Sequence, residues 1–285
     1  MHMPLKNTVI LYHGKCPDGF GAAFSAWKKF GENADYIPVD HGDSPPSGLE
    51  GREVYIVDFC YETKEQMETL AKIAKKLVVL DHHESDKELT ESVAEHVYDV
   101  LRSGASIAWT YFHPEMRIPR LMKYLEDGDL YNFALPETRN VFSYLLVLPF
   151  DFQQWDTFAS ELENDSARTR ILEKAKAYTE FFEALVHMSA DRAKKVSFEG
   201  YEVYFVATHP NITFKSRVAS VLYKKFPPFA MIVTAHPNGY GVSLRGDDTV
   251  DVSKIAQKYG GGGHTGSAGF FVPNGNNMPW KEINE

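Results

Sequence analysis

Residues 78–85 read VVLDHHES: three apolar β-formers run straight into an aspartate and two adjacent histidines. The pattern describes a buried strand that delivers potential metal ligands at one end. It recurs upstream. NTVILYH (7–13) is a short apolar run ending in His13, and VYIVDF (54–59) is another that carries Asp58 near its end. Between that second run and VVLDHHES, the segment ETKEQMETLAKIAKK (62–76) places Met67, Leu70, Ile73 and Ala74 on one helical face. Continuous apolar strands alternating with helices predict an α/β fold, a parallel sheet covered on both faces. Ligands of such sheets bind at the carboxyl ends of the strands. His13, Asp58 and Asp81 all fall at such ends.

From about residue 103 to 193 the pattern is mostly helical, and after 195 the texture changes. YEVYFVAT and FAMIVTAHPNGYGVSLR read as strands, the second with a turn signal at Asn238-Gly239. DVSKIAQKYGGGGHTGSAGFFV then gives a short helix, a glycine-rich loop and a last strand. The expected organisation is a parallel-sheet domain with helical extension over 1–185 and the end of a linking helix over 186–195. A smaller α/β domain follows over 196–285.

The chain has 285 residues, 44% hydrophobic and 24% charged, enough for one or two well-formed cores and without a disorder signature. Its formal net charge of −9 argues against wrapping long nucleic acid on a broad basic surface, but small anionic substrates remain open. Only Cys16 and Cys60 are present, so no disulfide framework is implied. No membrane-length apolar run and no apolar leader core stand out, and the expected location is the cytoplasm.

Four polar clusters can carry chemistry. YHGKCPDGFGAA (12–23) holds His13, Cys16 and Asp18; IVDFC holds Asp58; LDHH holds Asp81, His82 and His83; LEDGDLY holds Asp127 and Asp129. Taken singly, a strand-end aspartate is usually a cap or turn residue, and Asp127-Gly128-Asp129 reads equally well as a turn. Three strands ending in His or Asp at one sheet edge are harder to dismiss. Carboxylates at close range repel unless a cation compensates them, and a pair of divalent metal ions is the economical solution. Mixed His and Asp ligation suits Mn, Mg, Co or Zn, with Mn or Mg favoured by the number of carboxylates. Such a pair activates water and stabilises a phosphoryl group, which makes phosphoester or phosphoanhydride hydrolysis the leading chemistry.

The order of these clusters, centred on LDHH, resembles the DHH phosphoesterase superfamily, and YGGGGHTGSAGF (259–270) is similar to the glycine-rich loop of its DHH-associated C-terminal domain. The superfamily includes nano-RNases, cyclic-dinucleotide phosphodiesterases and family II pyrophosphatases. The resemblance implies that His13 and Asp58 hold one ion. It implies that Asp18, Asp58, His82 and Asp127 hold the other, with Asp127 preferred to Asp129 and Asp58 bridging. Asp81 is then a partner that orients a histidine, and His83 contacts the scissile phosphate or assists proton transfer. One departure stands out. The family's first motif carries two aspartates after its histidine, whereas this chain has Cys16 where the first is expected and His13 one residue closer. Cys16 either ligates as thiolate, favouring a softer metal, or merely lines the loop.

In the second domain, glycines let backbone N–H groups approach an anion closely. The resemblance implies that Gly261, Gly262, Gly263 and His264 bind the part of the substrate distal to the cleaved bond, and that Arg245 is an anion-binding arginine. Lys215, Ser216 and Arg217 read equally as further contacts or as a solvated helix face. The expected function is a metal-dependent phosphodiesterase that releases mononucleotides from short oligonucleotides or linear dinucleotides. The rivals are a phosphoanhydride hydrolase and a catalytically weakened nucleotide-binding protein. No membrane or long duplex is expected as partner, and the apolar helical middle is compatible with a homodimer.

Overall fold

A computed structural model describes residues 6–40 and 42–283. The chain divides into two compact units, Met1–Thr179 and Glu180–Glu285.

In the first unit, β1 (Thr8–His13) leads through a tight loop into α1 (Pro17–Phe30), and β2 (Ala34–Val39) and β3 (Glu53–Val57) follow. Next come α2 (Lys64–Ile73), β4 (Lys76–Asp81), the short α3 (Lys87–Glu91), β5 (Glu95–Tyr98) and α4 (Gly104–Phe112). The strands form a five-stranded sheet in the order β2-β1-β3-β4-β5, parallel throughout. The apolar runs are continuous because both faces are covered. Ile10, Tyr55, Val57, Val78 and Leu80 pack with α1 and α4 residues such as Phe20, Phe24 and Trp109. Their neighbours Val9, Leu11, Val54, Ile56 and Val79 pack on the other face with Met67 and Leu70 of α2. This period of two is what strand geometry dictates. Helix α2 starts on a capping box, in which Thr63 Oγ1 accepts from the Gln66 N–H while the Gln66 side chain accepts from the Thr63 N–H. Strands β2 and β5, both at sheet edges, are additional to the strands expected from the sequence.

The first unit continues with α5 (Arg120–Asp129), α6 (Thr138–Leu145), α7 (Phe152–Glu163) and the start of α8 (Asp165–Ala190), which runs across the division. Trp155 of α7 is fully buried in the α1–α4 core.

The second unit contains β6 (Lys194–Phe198), β7 (Tyr201–Ala207), α9 (Ile212–Lys225), β8 (Phe229–His236) and β9 (Gly239–Gly246). It ends with α10 (Val252–Gln257), β10 (Gly262–His264), β11 (Ser267–Pro273) and β12 (Lys281–Glu282). Its seven-stranded sheet has the order β10-β11-β9-β8-β7-β6-β12, with β7 and β8 parallel and the remaining pairs antiparallel. One face is covered by α10 and the other by α9 with Val186 and Ala190 of α8. The β8–β9 hairpin pairs His236 with Gly239, so the turn residues are Pro237 and Asn238, one position earlier than the Asn-Gly signal suggests. The glycine-rich segment is not a free loop. Gly262–His264 form an edge strand on β11. Among the described residues, no helix is long and apolar enough to cross a membrane.

Candidate metal centre

Strands β1, β3 and β4 lie side by side, and their carboxyl ends place His13, Asp58 and Asp81 along one edge. Asp58 follows directly on β3, where its N–H donates to Leu80 O at 2.9 Å, and its backbone is left-handed at φ 65°. Few side chains adopt that conformation readily, and aspartate is among those that do. Its carboxylate is 1% exposed and lies between two imidazoles: His13 Nδ1 is 3.4 Å from Oδ2, and His82 Nε2 is 3.3 Å from Oδ1.

Ligand atoms within 4.8 Å of one another form overlapping groups around that carboxylate: His13, Cys16 and Asp58; Asp58, His82 and His83; Asp18, His82 and Asp129. Asp18, on the first turn of α1, is 1% exposed, and one of its oxygens accepts the Ala105 N–H at 3.3 Å. That amide belongs to the N-terminus of α4, which is capped by Ser103. Gly104 lies so close to Asp58 that an added Cβ would stand 2.3 Å from Oδ1. The segment Ser103-Gly104-Ala105 therefore shapes the site, which the sequence reading did not include. Its one signal is a Ser-Gly pair opening an apolar helix.

Among the described residues, buried side-chain atoms without a hydrogen-bond partner include Asp18 Oδ2, both Asp58 oxygens and His82 Nε2. Buried orphans of this kind are costly, and a cation among them satisfies them together. The electrostatics agree. Burial, then the charges of Asp58 and Asp129, push the Asp18 carboxyl well above its usual range. Burial and Asp58 raise Asp129 to about 6, against the opposing pull of the histidines. Burial works against ionising Asp58 too, but the imidazoles of His13 and His82 beside it override that and hold the group low. Burial, then Asp58, Asp18 and Asp129, push the Cys16 thiol well up. A nitrogen, oxygen and sulfur donor set with surplus negative charge suits divalent ions.

Asp81 is fully buried. Its Oδ1 accepts from the His82 N–H at 2.8 Å and the His83 N–H at 3.3 Å, and it lies 2.8 Å from His83 Nδ1. Asp81 thus orients His83 rather than His82. Burial disfavours the His83 cation, yet Asp81, Asp58 and Asp86 outweigh that and raise its pKa to about 9.

The preference for Asp127 over Asp129 is reversed. Asp129 Oδ2 lies 3.5 Å from His82 Nε2, whereas Asp127 is outside every ligand group. The Asp127 carboxylate is occupied instead by the N–H groups of Ala134 (2.8 Å) and Leu135 (3.0 Å) and by the Thr138 hydroxyl, and its own carbonyl accepts from Asn132 and Phe133. These bonds tie the loop after α5 to it. Two positions apart on a helix, the side chains point in directions about 200° apart, so only one of the pair can face the cluster.

In the second unit, Arg245 pairs in register with Ser267, and Ser267 with His264, so these three lie side by side across β9, β11 and β10. Arg245 is half-buried, and its Nη1 donates to Leu244 O (2.9 Å) and Ala268 O (3.2 Å). Burial lowers the pKa of Arg245, and burial followed by the Arg245 charge lowers that of Lys215 on α9. Two cations therefore share one half-buried place. Arg217 is occupied elsewhere by a bidentate pair with Glu183, both distances 2.8 Å. Ser216 is half-buried beside Lys215 on α9. Gly261 and Gly263 are required by the hairpin: an added Cβ would meet Gly269 O at 2.0 Å and Ser267 O at 2.4 Å respectively. Gly262 has open space around it, and His264 is exposed.

Residues 204–281 match the family model of the DHHA1 domain. An uncharacterized protein of Acanthamoeba polyphaga mimivirus is 30% identical over 92% of this chain, which spans 66%, about two thirds, of the viral protein's length. Among solved structures, the chain is similar to the DHH domain of a member of a family of ribosomal proteins, with a TM-score of 0.57 and 16% identity over 94% of this chain and 83% of that one. It is also similar to a pGpG-specific phosphodiesterase from Vibrio cholerae, with a TM-score of 0.55 and 15% identity over 94% of each chain. At these identities the two solved structures speak for the fold.

Proposed function

We propose that this member of the DHH phosphoesterase superfamily, with its C-terminal DHHA1 domain, is a metal-dependent hydrolase of phosphodiester bonds in linear dinucleotides and very short oligonucleotides. The observation that carries the proposal is the set of orphaned buried atoms on Asp18, Asp58 and His82, gathered where parallel strands end.

His13 and Asp58 would hold one divalent ion, and Asp18, Asp58, His82 and Asp129 a second, with Asp58 common to both. When bound, such ions neutralise phosphoryl charge and make a water acidic enough to attack near neutral pH. The chain's own residues do the rest. Asp81 fixes the His83 ring through Nδ1, which leaves Nε2 to donate to a phosphoryl oxygen. The α4 N-terminus, through the Ala105 N–H, keeps one Asp18 oxygen in place and leaves the other for an ion. Arg245 and Lys215 bind a phosphate of the substrate other than the one cut, a role that suits a guanidinium fork. A dinucleotide carries such a second anionic group if its end is phosphorylated. A pGpG-specific phosphodiesterase shares the fold, and the formal net charge of −9 fits small substrates better than long strands.

The test is a substrate panel on metal-stripped protein with Mn, Mg, Co or Zn restored. It would hold a 5′-phosphorylated dinucleotide, longer RNA and DNA, a cyclic dinucleotide, pyrophosphate and polyphosphate. Ion-dependent mononucleotide release, fastest on the dinucleotide, is the expected result. Phosphate release from pyrophosphate or polyphosphate alone would replace the proposal with anhydride hydrolysis.

A further inference from the structure

Two of the candidate ligand groups that crowd around Asp58 differ in chemistry. Asp18, His82 and Asp129 offer oxygen and nitrogen, whereas His13, Cys16 and Asp58 offer nitrogen, sulfur and oxygen. We infer that the centre is asymmetric by construction, with Cys16 as a thiolate ligand that reserves the His13 position for a thiophilic ion such as zinc, while the Asp18–His82–Asp129 position takes manganese or magnesium. The inference rests on the ion-dependent reading above and adds the identity of each ion.

The backbone around Cys16 supports a ligating role. Cys16 occupies the N-cap position of α1 with extended geometry (φ −114°, ψ 131°), yet its side chain caps nothing. Proline follows at the first helical position, where its fixed φ suits the helix start. The loop from His13 doubles back tightly. An added Cβ on Gly19 would stand 2.2 Å from His13 O and 2.8 Å from His13 Cβ, so only glycine lets α1 press against the end of β1. That contact, with the Phe20 N–H donating to Cys16 O at 3.0 Å, holds the sulfur within reach of the imidazole. The second, independent observation is Asp58 Oδ2. It is buried, it has no hydrogen-bond partner, and it belongs to the same group.

A buried cysteine is more often a small apolar side chain than a ligand, and this molecule contains such a cysteine for comparison. Cys60 lies in the core beside α2 and joins none of the ligand groups. The two cysteines thus separate packing from ligation within one chain. Sulfur is a soft donor that favours zinc or cobalt over manganese and magnesium, while a carboxylate-rich set does the opposite. Binding converts the thiol to thiolate, and the displaced proton passes to the buffer.

Cobalt(II) is the probe. Full-length metal-stripped protein is titrated with it, and absorbance is followed in the near ultraviolet, where thiolate-to-cobalt charge transfer appears, and in the visible, where ligand-field bands report any bound cobalt. Wild type and Cys60→Ser are expected to show both features. Cys16→Ser should lose the near-ultraviolet band and keep visible absorption from the other position. Cys16→Asp should bind two ions without the band. Its zinc-over-manganese preference should fall by about tenfold or more, the scale on which even partners behind a ligand are felt. A near-ultraviolet band that survives in Cys16→Ser overturns the inference, as does wild-type protein that binds two cobalt ions without one; both leave the hydrolase reading standing. Protein that binds no cobalt at all overturns both.

Discussion

The two sheets gather polar side chains by different means. In the first unit, His13, Asp58 and His82 arrive at or just past the carboxyl ends of neighbouring parallel strands, Asp18 on the first turn of α1 and Asp129 at the end of α5. Neighbouring strands are about 4.8 Å apart, so carboxylates are forced together whatever their charge. The result is a negative centre with unsatisfied acceptors at Asp18 and Asp58. In the mixed sheet of the second unit, Arg245, Ser267 and His264 arrive at matched register positions across β9, β11 and β10. The result there is half-buried positive charge, with Lys215 close by. One unit gathers negative charge and the other positive charge.

The sharpest way to break this contrast is Asp58→Ala. Loss of the shared carboxylate is expected to lower kcat/KM by about a thousandfold or more, the upper range for one electrostatic group, and to lower bound ions per chain in a metal assay. Unchanged ion content would separate Asp58 from the centre. A second experiment compares neighbours. Asp127→Ala removes acceptors for two backbone amides and the Thr138 hydroxyl, and should cost about 2–3 kcal/mol in urea unfolding. Asp129→Ala should cost little stability while weakening ion binding. The opposite assignment of the two losses would return the ligand role to Asp127. Third, Gly104→Ala drives a methyl group against Asp58; about a hundredfold loss of kcat on every substrate is expected, as for a misplacement of about 1 Å. The smallest effect belongs to the second unit. Arg245→Ala should raise KM for a phosphorylated dinucleotide about tenfold, the size of one charged hydrogen bond. It should leave hydrolysis of a simple aryl phosphodiester unchanged, and equal losses on both substrates would remove the anchoring role.

Much of this arrangement was legible in the chain. The runs ending at His13, Asp58 and Asp81 read as strands because both faces of each are covered, and they sit side by side in the sheet. Edge strands were harder to see. β5 is mostly exposed, and β2 is only partly buried and carries Pro38, so neither shows a continuous apolar run. The choice between Asp127 and Asp129 depended on which face of α5 meets the sheet edge, a tertiary fact that spacing alone does not contain. The role of Gly104 was hidden for the same reason, since it arises from a contact with Asp58, distant in sequence. The glycine run gave its composition away but not its pairing. Only the match of Gly262–His264 with β11 explains why Gly261 and Gly263 admit no side chain.

The left-handed backbone of Asp58 and the crowded carboxylates around it also bear on folding. A chain that buries mutually repelling acids is least comfortable when alone, so any ion they capture is a partner of the folded form only. The melting temperature of this protein should then act as a gauge of free divalent ion. At a hundredfold excess over the dissociation constant, one bound ion adds about 2.7 kcal/mol, or roughly 5–10 °C for a unit of this size. Calorimetry across a manganese series should show a rising midpoint in wild type and a flatter one in Asp58→Ala. In a cell, the amount of folded protein would follow the supply of metal before any substrate arrived.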